Sequence, residues 1–239
     1  SQTQRDERLL VRAYAKVNLA LSVGPPQPPK GYHPICSLFA GIDLVDYVTV
    51  SPCRLASCPE AGGSLQVRWA VEAPRQSPID WPPEKDLAFR AMRRAVEAGV
   101  LAHPLNIELI KRIPTGGGLG GGSADAAAVL RAIAVRPEWH GPAVTRDGVN
   151  LRSALLAIAM QLGSDIAYFC DFEGDAGHGR VLQNPPRPAV VGGYGEQVNR
   201  ISLRPLRRAG GGLVLLFAPV GCPTGAVYGA FDSAGPVGR

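Results

Sequence analysis

The chain has 239 residues, enough for one large domain or two modest ones with a real core, and 46% of them are hydrophobic, which excludes intrinsic disorder. The net charge of +5 suits an anionic ligand, but Arg75, Arg90, Arg93, Arg94, Lys111, Arg112, Arg204, Arg207 and Arg208 form no stripe interleaved with aromatics, which argues against nucleic acid. No apolar run approaches the about 20 residues of a membrane span, Ser1 to Arg8 lacks a secretory core, and five cysteines without a C-x-x-C pair predict reduced thiols in the cytoplasm rather than a disulfide framework or zinc site.

Taken in chain order, Val17, Leu19, Leu21 and Val23 alternate with Lys16, Asn18, Ala20 and Ser22, which predicts a strand with one buried face. Lys16 and Asn18 then share the opposite face. Prolines 25, 26, 28 and 29 end this strand, and Gly31 completes a turn. Leu38 to Val50 reads as one or two further strands, and Leu65, Val67, Trp69 and Val71 alternate again. Ala73 to Pro83 is a proline-rich loop. Leu87, Ala88, Ala91, Met92, Ala95 and Val96 recur at helical spacing, with Gly99 as the stop.

Ile107 and Leu109 open a strand that ends at Pro114, and a glycine loop follows. Ala124 to Val135 is almost wholly apolar and predicts a helix buried on most sides. Leu151, Leu155, Ile158 and Leu162 predict another helix, with Asn150 as N-cap and Gly163 as stop. Leu182 to Gly193 is a proline- and glycine-rich interruption, and Gly212 to Val220 reads as a buried strand. Strands, then helices, then strands again indicate an α+β fold.

The most informative segment is Pro114-Thr115-Gly116-Gly117-Gly118-Leu119-Gly120-Gly121-Gly122-Ser123-Ala124. A strand leads in and a helix leads out. Six glycines free the backbone to turn its N–H groups toward one anion, and the helix that follows adds its positive end. Ser123, at the helix start, can cap the helix or reach a phosphate or a metal ion. A P-loop fails here, because Gly122 stands where that motif needs Lys. Gly116, Gly118 and Gly121 satisfy the dinucleotide pattern G-x-G-x-x-G, a reading that predicts NAD affinity. Its acidic partner could only be Glu138, which lies in a Pro/Trp/His stretch rather than at a strand end.

The loop resembles the ATP loop of the GHMP kinases. Ala15-Lys16-Val17-Asn18-Leu19, Gly31-Tyr32-His33 with Ser37-Leu38-Phe39, and Leu162-Gly163-Ser164-Asp165 with Tyr168-Phe169 are similar to further motifs of that family, in order and spacing. Gly195-Glu196 and Thr224-Gly225-Ala226-Val227-Tyr228 also fit, so the likeness runs from about Leu10 to Asp232. It implies a ribosomal-protein-S5-domain-2-like N-terminal domain over 9–198 and the beginning of a ferredoxin-like domain over 199–239. The doubled glycine triplet is similar to the branch that phosphorylates the 2-hydroxyl of a cytidine-diphosphate-linked methylerythritol. The resemblance therefore implies ATP as co-substrate, Mg2+ as its counterion and a small-molecule substrate with a cytidine diphosphate group. A homoserine- or mevalonate-type kinase is the lesser alternative.

The same resemblance gives roles to single residues. Asp165 would be the general base and Lys16 the cation that neutralises developing charge and keeps Asp165 ionised. Without it, Asp165 reads equally as a helix cap and Lys16 as an exposed strand lysine. Asn18, Tyr32, His33 and Tyr228 would bind substrate, the aromatics as a pyrimidine platform. Ser123 would be the protein's contact to the metal. His103, His140 and His178 match no motif and read as surface residues. Two features depart from the family: Ala167 stands where it has proline, and no third glycine-rich motif follows Asp232. The second departure leaves open a nucleotide-binding module without turnover, and predicts exposed apolar surface at Leu213 to Phe217.

Overall fold

A computed structural model describes residues 7–28, 31–53, 62–145, 150–175, 179–202, 212–217 and 224–234. Seven strands form one mixed sheet: β1 (Leu9–Val23), β2 (Ile35–Pro52), β3 (Ser64–Trp69), β4 (Leu105–Lys111), β5 (Val181–Leu182), β6 (Ala189–Gly193) and β7 (Gln197–Arg200). β2 is the spine. It pairs antiparallel with β1 along its length, with β4 through Tyr47–Pro52 and with β6 through Ile35–Phe39. β3 runs parallel to β4, β5 parallel to β1, and β7 antiparallel to β6.

The register puts apolar residues on one face. Leu9 opposes Val50, which opposes Ile107, and Val11 opposes Val48, which opposes Leu109. All six are buried in one cluster with the helices α1 (Leu87–Glu97), α2 (Gly121–Ala134), α3 (Leu151–Leu162) and α4 (Ile166–Phe169). Residues of alternate parity, such as Arg12 and Glu108, look the other way. A fifth helix, α5 (Thr224–Ala234), follows later. The α+β expectation is borne out. No helix among the described residues is long and apolar enough to cross a membrane.

α2 is the central helix. Every residue from Ala124 to Ile133 is buried, as the apolar run predicts. Its alanines let neighbours approach closely, and its two buried charges are paired. Arg131 grips Asp175 through Nε at 2.7 Å and Nη2 at 2.6 Å. Asp125 meets Lys111, whose Nζ lies 2.5 Å from both Asp125 Oδ2 and Asp46 Oδ2. Asp46 Oδ1 also accepts the backbone N–H groups of Arg112 and Ile113. Burial draws the Lys111 ammonium down, but the two carboxylates outweigh it and the net shift is upward. Asp125 moves well above the usual carboxylate range because it is buried, more than Lys111 offsets. Its Oδ1 has no hydrogen-bond partner among the described residues.

α1 begins at Asp86, whose side chain accepts from Ala88 N and Phe89 N, and stops at Gly99 (φ 67°) as expected.

Several expectations need correction. The buried half of β1 is Leu9 to Lys16; Leu19 and Leu21, in the outer half of the β1–β2 ribbon, are 40% and 53% exposed. The segment from Leu182 to Gly193 is not an interruption: Val181–Leu182 joins β1 and Ala189–Gly193 joins β2, with the prolines confined to the link. Asn150 does not cap α3 with its side chain, which bonds Thr145 and Ala143 instead.

Residues 212–217 are irregular rather than a buried strand. Val214 and Leu216 are about nine-tenths exposed, in line with the expected exposed apolar surface, whereas Leu215 and Phe217 pack on Ala15, Ile113 and Leu119. Residues 218–220 lie outside the described set. Cys36 and Cys170 are free thiols, but Cys53 is disulfide-bonded; an odd count precludes full pairing, not a single bridge. His178, Cys58, Cys222 and Arg204 to Arg208 lie outside the described residues. His140 is half-buried and its Nε2 bonds the Ile133 carbonyl at 2.9 Å, whereas His103 is exposed. The expected division after residue 198 falls within β7, whose ladder with β6 continues to Arg200.

Lys111→Met would leave Asp46 and Asp125 facing each other without a counter-ion. Unmatched buried charge costs about 3–5 kcal/mol, so urea denaturation should show a loss of that size. A loss below about 1 kcal/mol would contradict the assigned role.

Candidate functional site

The glycine loop lies between Lys111 at the end of β4 and Asp125 in α2, so the buried ion pair joins its two stems. Leu119 is its one apolar residue after Pro114, and it plugs into a small cluster with Ala15 and Ile113. This plug brings the loop to β1: Lys16 N donates to Leu119 O at 2.9 Å. Gly116, Gly118 and Gly120 all have φ near +70°. A Cβ at Gly116 or Gly118 would meet nothing within 4 Å, so open space lies above the loop. A Cβ at Gly120 would fall 2.8 Å from the Phe169 ring and 3.3 Å from Lys16 Cγ. Only glycine fits where the loop, β1 and α4 converge.

Ser123 is the third residue of α2, not its cap. The cap position belongs to Gly120, with no side-chain cap bond. Among the described residues the Ser123 hydroxyl has no hydrogen-bond partner, which leaves it available to a ligand. No group of three His, Cys, Asp or Glu side chains among them could hold a metal ion.

Lys16 and Asn18 do share a face, as the alternation predicts, but Lys16 is buried rather than exposed. Two register shifts in the β1–β2 ladder, after Tyr14 and after Asn18, bracket this pair. Lys16 Nζ donates to Asn18 Oδ1 at 2.7 Å, Asn18 Nδ2 donates to Ser37 Oγ at 2.8 Å, and Ser37 Oγ donates to Ala20 O at 2.6 Å. The ammonium lies 4.7 Å from the Phe39 ring centroid and 3.7 Å from Asp165 Oδ2. Burial lowers the Lys16 pKa, and the Asp165 carboxylate partly restores it. Asp165 sits at the N-cap of α4 yet makes no side-chain cap bond. The capping alternative is therefore removed, and its part-exposed carboxylate faces Lys16 near the loop.

The aromatic residues divide. His33 Nδ1 lies 2.8 Å from Gly24 O, its ring stacks on Tyr228 at 5.1 Å, and its Nε2 lies 3.1 Å from Asp232 Oδ1. Tyr228 thus uses a face on His33 itself. Tyr32 is 61% exposed and meets Tyr194 edge-on at 6.4 Å. Tyr194 went unread in the sequence. Its signal was Gly193-Tyr194-Gly195, an aromatic at the tip of a glycine-flanked turn. The same segment supplies contact with the site, since Gly195 abuts Ser164 beside Asp165.

The chain has relatives among known proteins. The family model "GHMP kinases N terminal domain" matches residues 86–170. A 4-diphosphocytidyl-2-C-methyl-D-erythritol kinase of Anaeromyxobacter sp. (strain Fw109-5) is 35% identical over 206 residues, covering 83% of this chain and 53% of that one. The kinase of the same name from Mycobacterium bovis (strain BCG / Pasteur 1173P2) is 34% identical over 228 residues, covering 95% and 59%. A crystal structure of 4-(cytidine 5'-diphospho)-2C-methyl-D-erythritol kinase superposes with a TM-score of 0.54 at 31% identity, covering 82% of this chain and 56% of that one. The chain spans about half the length of the curated relatives it matches.

Asp165 supports the charged form of Lys16 against burial, so Asp165→Asn should move the Lys16 Nζ titration to lower pH. Nitrogen-15 NMR of labelled lysine reads this directly. An unchanged or raised Lys16 titration would contradict the pairing.

Proposed function

This chain belongs to the GHMP kinase family, and on that premise we propose that it transfers the γ-phosphoryl group of ATP to the 2-hydroxyl of 4-diphosphocytidyl-2-C-methyl-D-erythritol, a step of non-mevalonate isoprenoid precursor synthesis. The observation that carries the reading is the Lys16–Asp165 pair standing beside the glycine loop, with Lys16 tied to Leu119 through its backbone.

The chemistry follows from these positions. Backbone N–H groups of Thr115 to Ser123 and the positive end of α2 bind the ATP phosphates. The 2-hydroxyl oxygen attacks the γ-phosphorus, the bond from phosphorus to the bridging oxygen breaks, and ADP leaves. The hydroxyl proton passes to the Asp165 carboxylate. Lys16 stabilises the charge that develops on the transferring group, in a site dry enough to make its ammonium count. Mg2+, when bound with ATP, supplies charge neutralisation at the phosphates, and the free Ser123 hydroxyl is the protein group offered to it. Asn18, Tyr32 and His33, with Tyr228 and Tyr194, form the side that takes the cytidine diphosphate end.

The test is ADP formation from ATP, Mg2+ and the cytidine-diphosphate substrate, with Asp165→Asn beside it. Substrate-dependent turnover is expected, falling about 10²–10⁴-fold in the variant as for loss of a general base, while ATP affinity is kept. ATP binding without turnover would favour the nucleotide-binding module instead, and absence of ATP binding would overturn the reading of the loop.

A further inference from the structure

α4 is a single turn, Ile166–Phe169, with Asp165 at its entry. Such a helix has no stability of its own and leaves most of its end groups unpaired. Asp165 makes no side-chain cap bond that could fix it locally. Its buried side chains seat it in the core, and the aim of Asp165 depends further on what holds the backbone on either side.

Both sides are held by one element, the β6–β7 hairpin. On the entry side, Gly195 has φ +110°, and a Cβ there would fall 2.5 Å from Ser164 O and 2.8 Å from Ser164 Cβ. The hairpin turn is thus in direct contact with the residue before Asp165, and no L side chain fits between. On the exit side stands Arg200, the last residue of β7. Its Nη2 donates to Tyr168 O at 2.5 Å and its Nη1 to Arg187 O at 2.7 Å. Its guanidinium lies 5.1 Å from the Tyr168 ring centroid. Asp171, 3.8 Å from Arg200 Nε, is itself fixed by Arg187 through the backbone N, Nε and Nη2 at 2.8–2.9 Å.

We propose that the β6–β7 hairpin is a bracket that sets Asp165 against Lys16, with Arg200 as the positioning residue that acts through the Tyr168 carbonyl. The inference rests on the kinase reading for its effect on turnover, but not for its geometry. The planar fork of Arg200 reaches two carbonyls and stacks on a ring at once, which a lysine ammonium cannot do.

Arg200→Lys tests it. Expected are a kcat about tenfold lower and a KM for ATP within twofold of the parent, because the glycine loop's own tie to Lys16 is untouched. Without substrate, the Lys16 Nζ titration should move to lower pH, as in Asp165→Asn, because the carboxylate has drawn away. Gly195→Ala, at the other end of the bracket, should move both readouts the same way and serves if Arg200→Lys does not fold. A parallel rise in KM for ATP, an unchanged kcat, or a Lys16 titration left where it was in a folded variant would overturn the proposal. If the parent chain shows no turnover, the kinase reading fails, and the Lys16 titration alone decides the bracket.

Discussion

Lys111 sits between the carboxylates of Asp46 and Asp125 at 2.5 Å from each, in a part of the protein that is almost fully buried. Three elements meet at that ammonium: β2 through Asp46, the end of β4 through Lys111, and the first turns of α2 through Asp125. The glycine loop runs from the second to the third. A loop of six glycines has a large conformational freedom to lose, of order 1–2 kcal/mol per residue. Side-chain packing restrains it only at Leu119, because most of it has no side chains. Fixing its two stems is a further means, and a directional ionic contact does this better than an apolar one. The backbone N–H groups of Arg112 and Ile113, taken up by Asp46, extend the hold into the loop's first residues.

Leu119 completes the restraint from within. With the stems fixed and the middle plugged, the loop turns an open face outward at Gly116 and Gly118 and a closed face inward at Gly120. The closed face is where β1 and α4 arrive with Lys16 and Phe169. The glycine loop and the Lys16–Asp165 pair are therefore one packed unit rather than two neighbouring features.

Much of this was legible in the sequence because it rests on local pattern. Apolar periodicity placed α1, α2, α3 and β4, and strand alternation placed Lys16 and Asn18 on one face. The glycine run between a strand and a helix marked the candidate anion site. What was missed depends on distant residues. Lys16 reads as exposed because nothing nearby shows that Phe39, Phe169 and Asp165 will surround it. Asp46 and Lys111 look like ordinary strand charges until the β2–β4 register brings them together, 65 residues apart. β6 hid behind prolines that occupy only the link before it, and Arg200 carries no motif at all. Asn150 has the right residue type for a cap, but its side chain found partners in the preceding turn.

On the proposed function, the restrained glycine loop is where a nucleotide's phosphates bind. Backbone hydrogen exchange across residues 114–124, with and without a non-hydrolysable ATP analogue, tests it most directly. Strong added protection of the loop amides is expected, with little change at β3 or the β1–β2 ribbon's outer end. Analogue binding that leaves the loop amides exchanging at their free rate would contradict it.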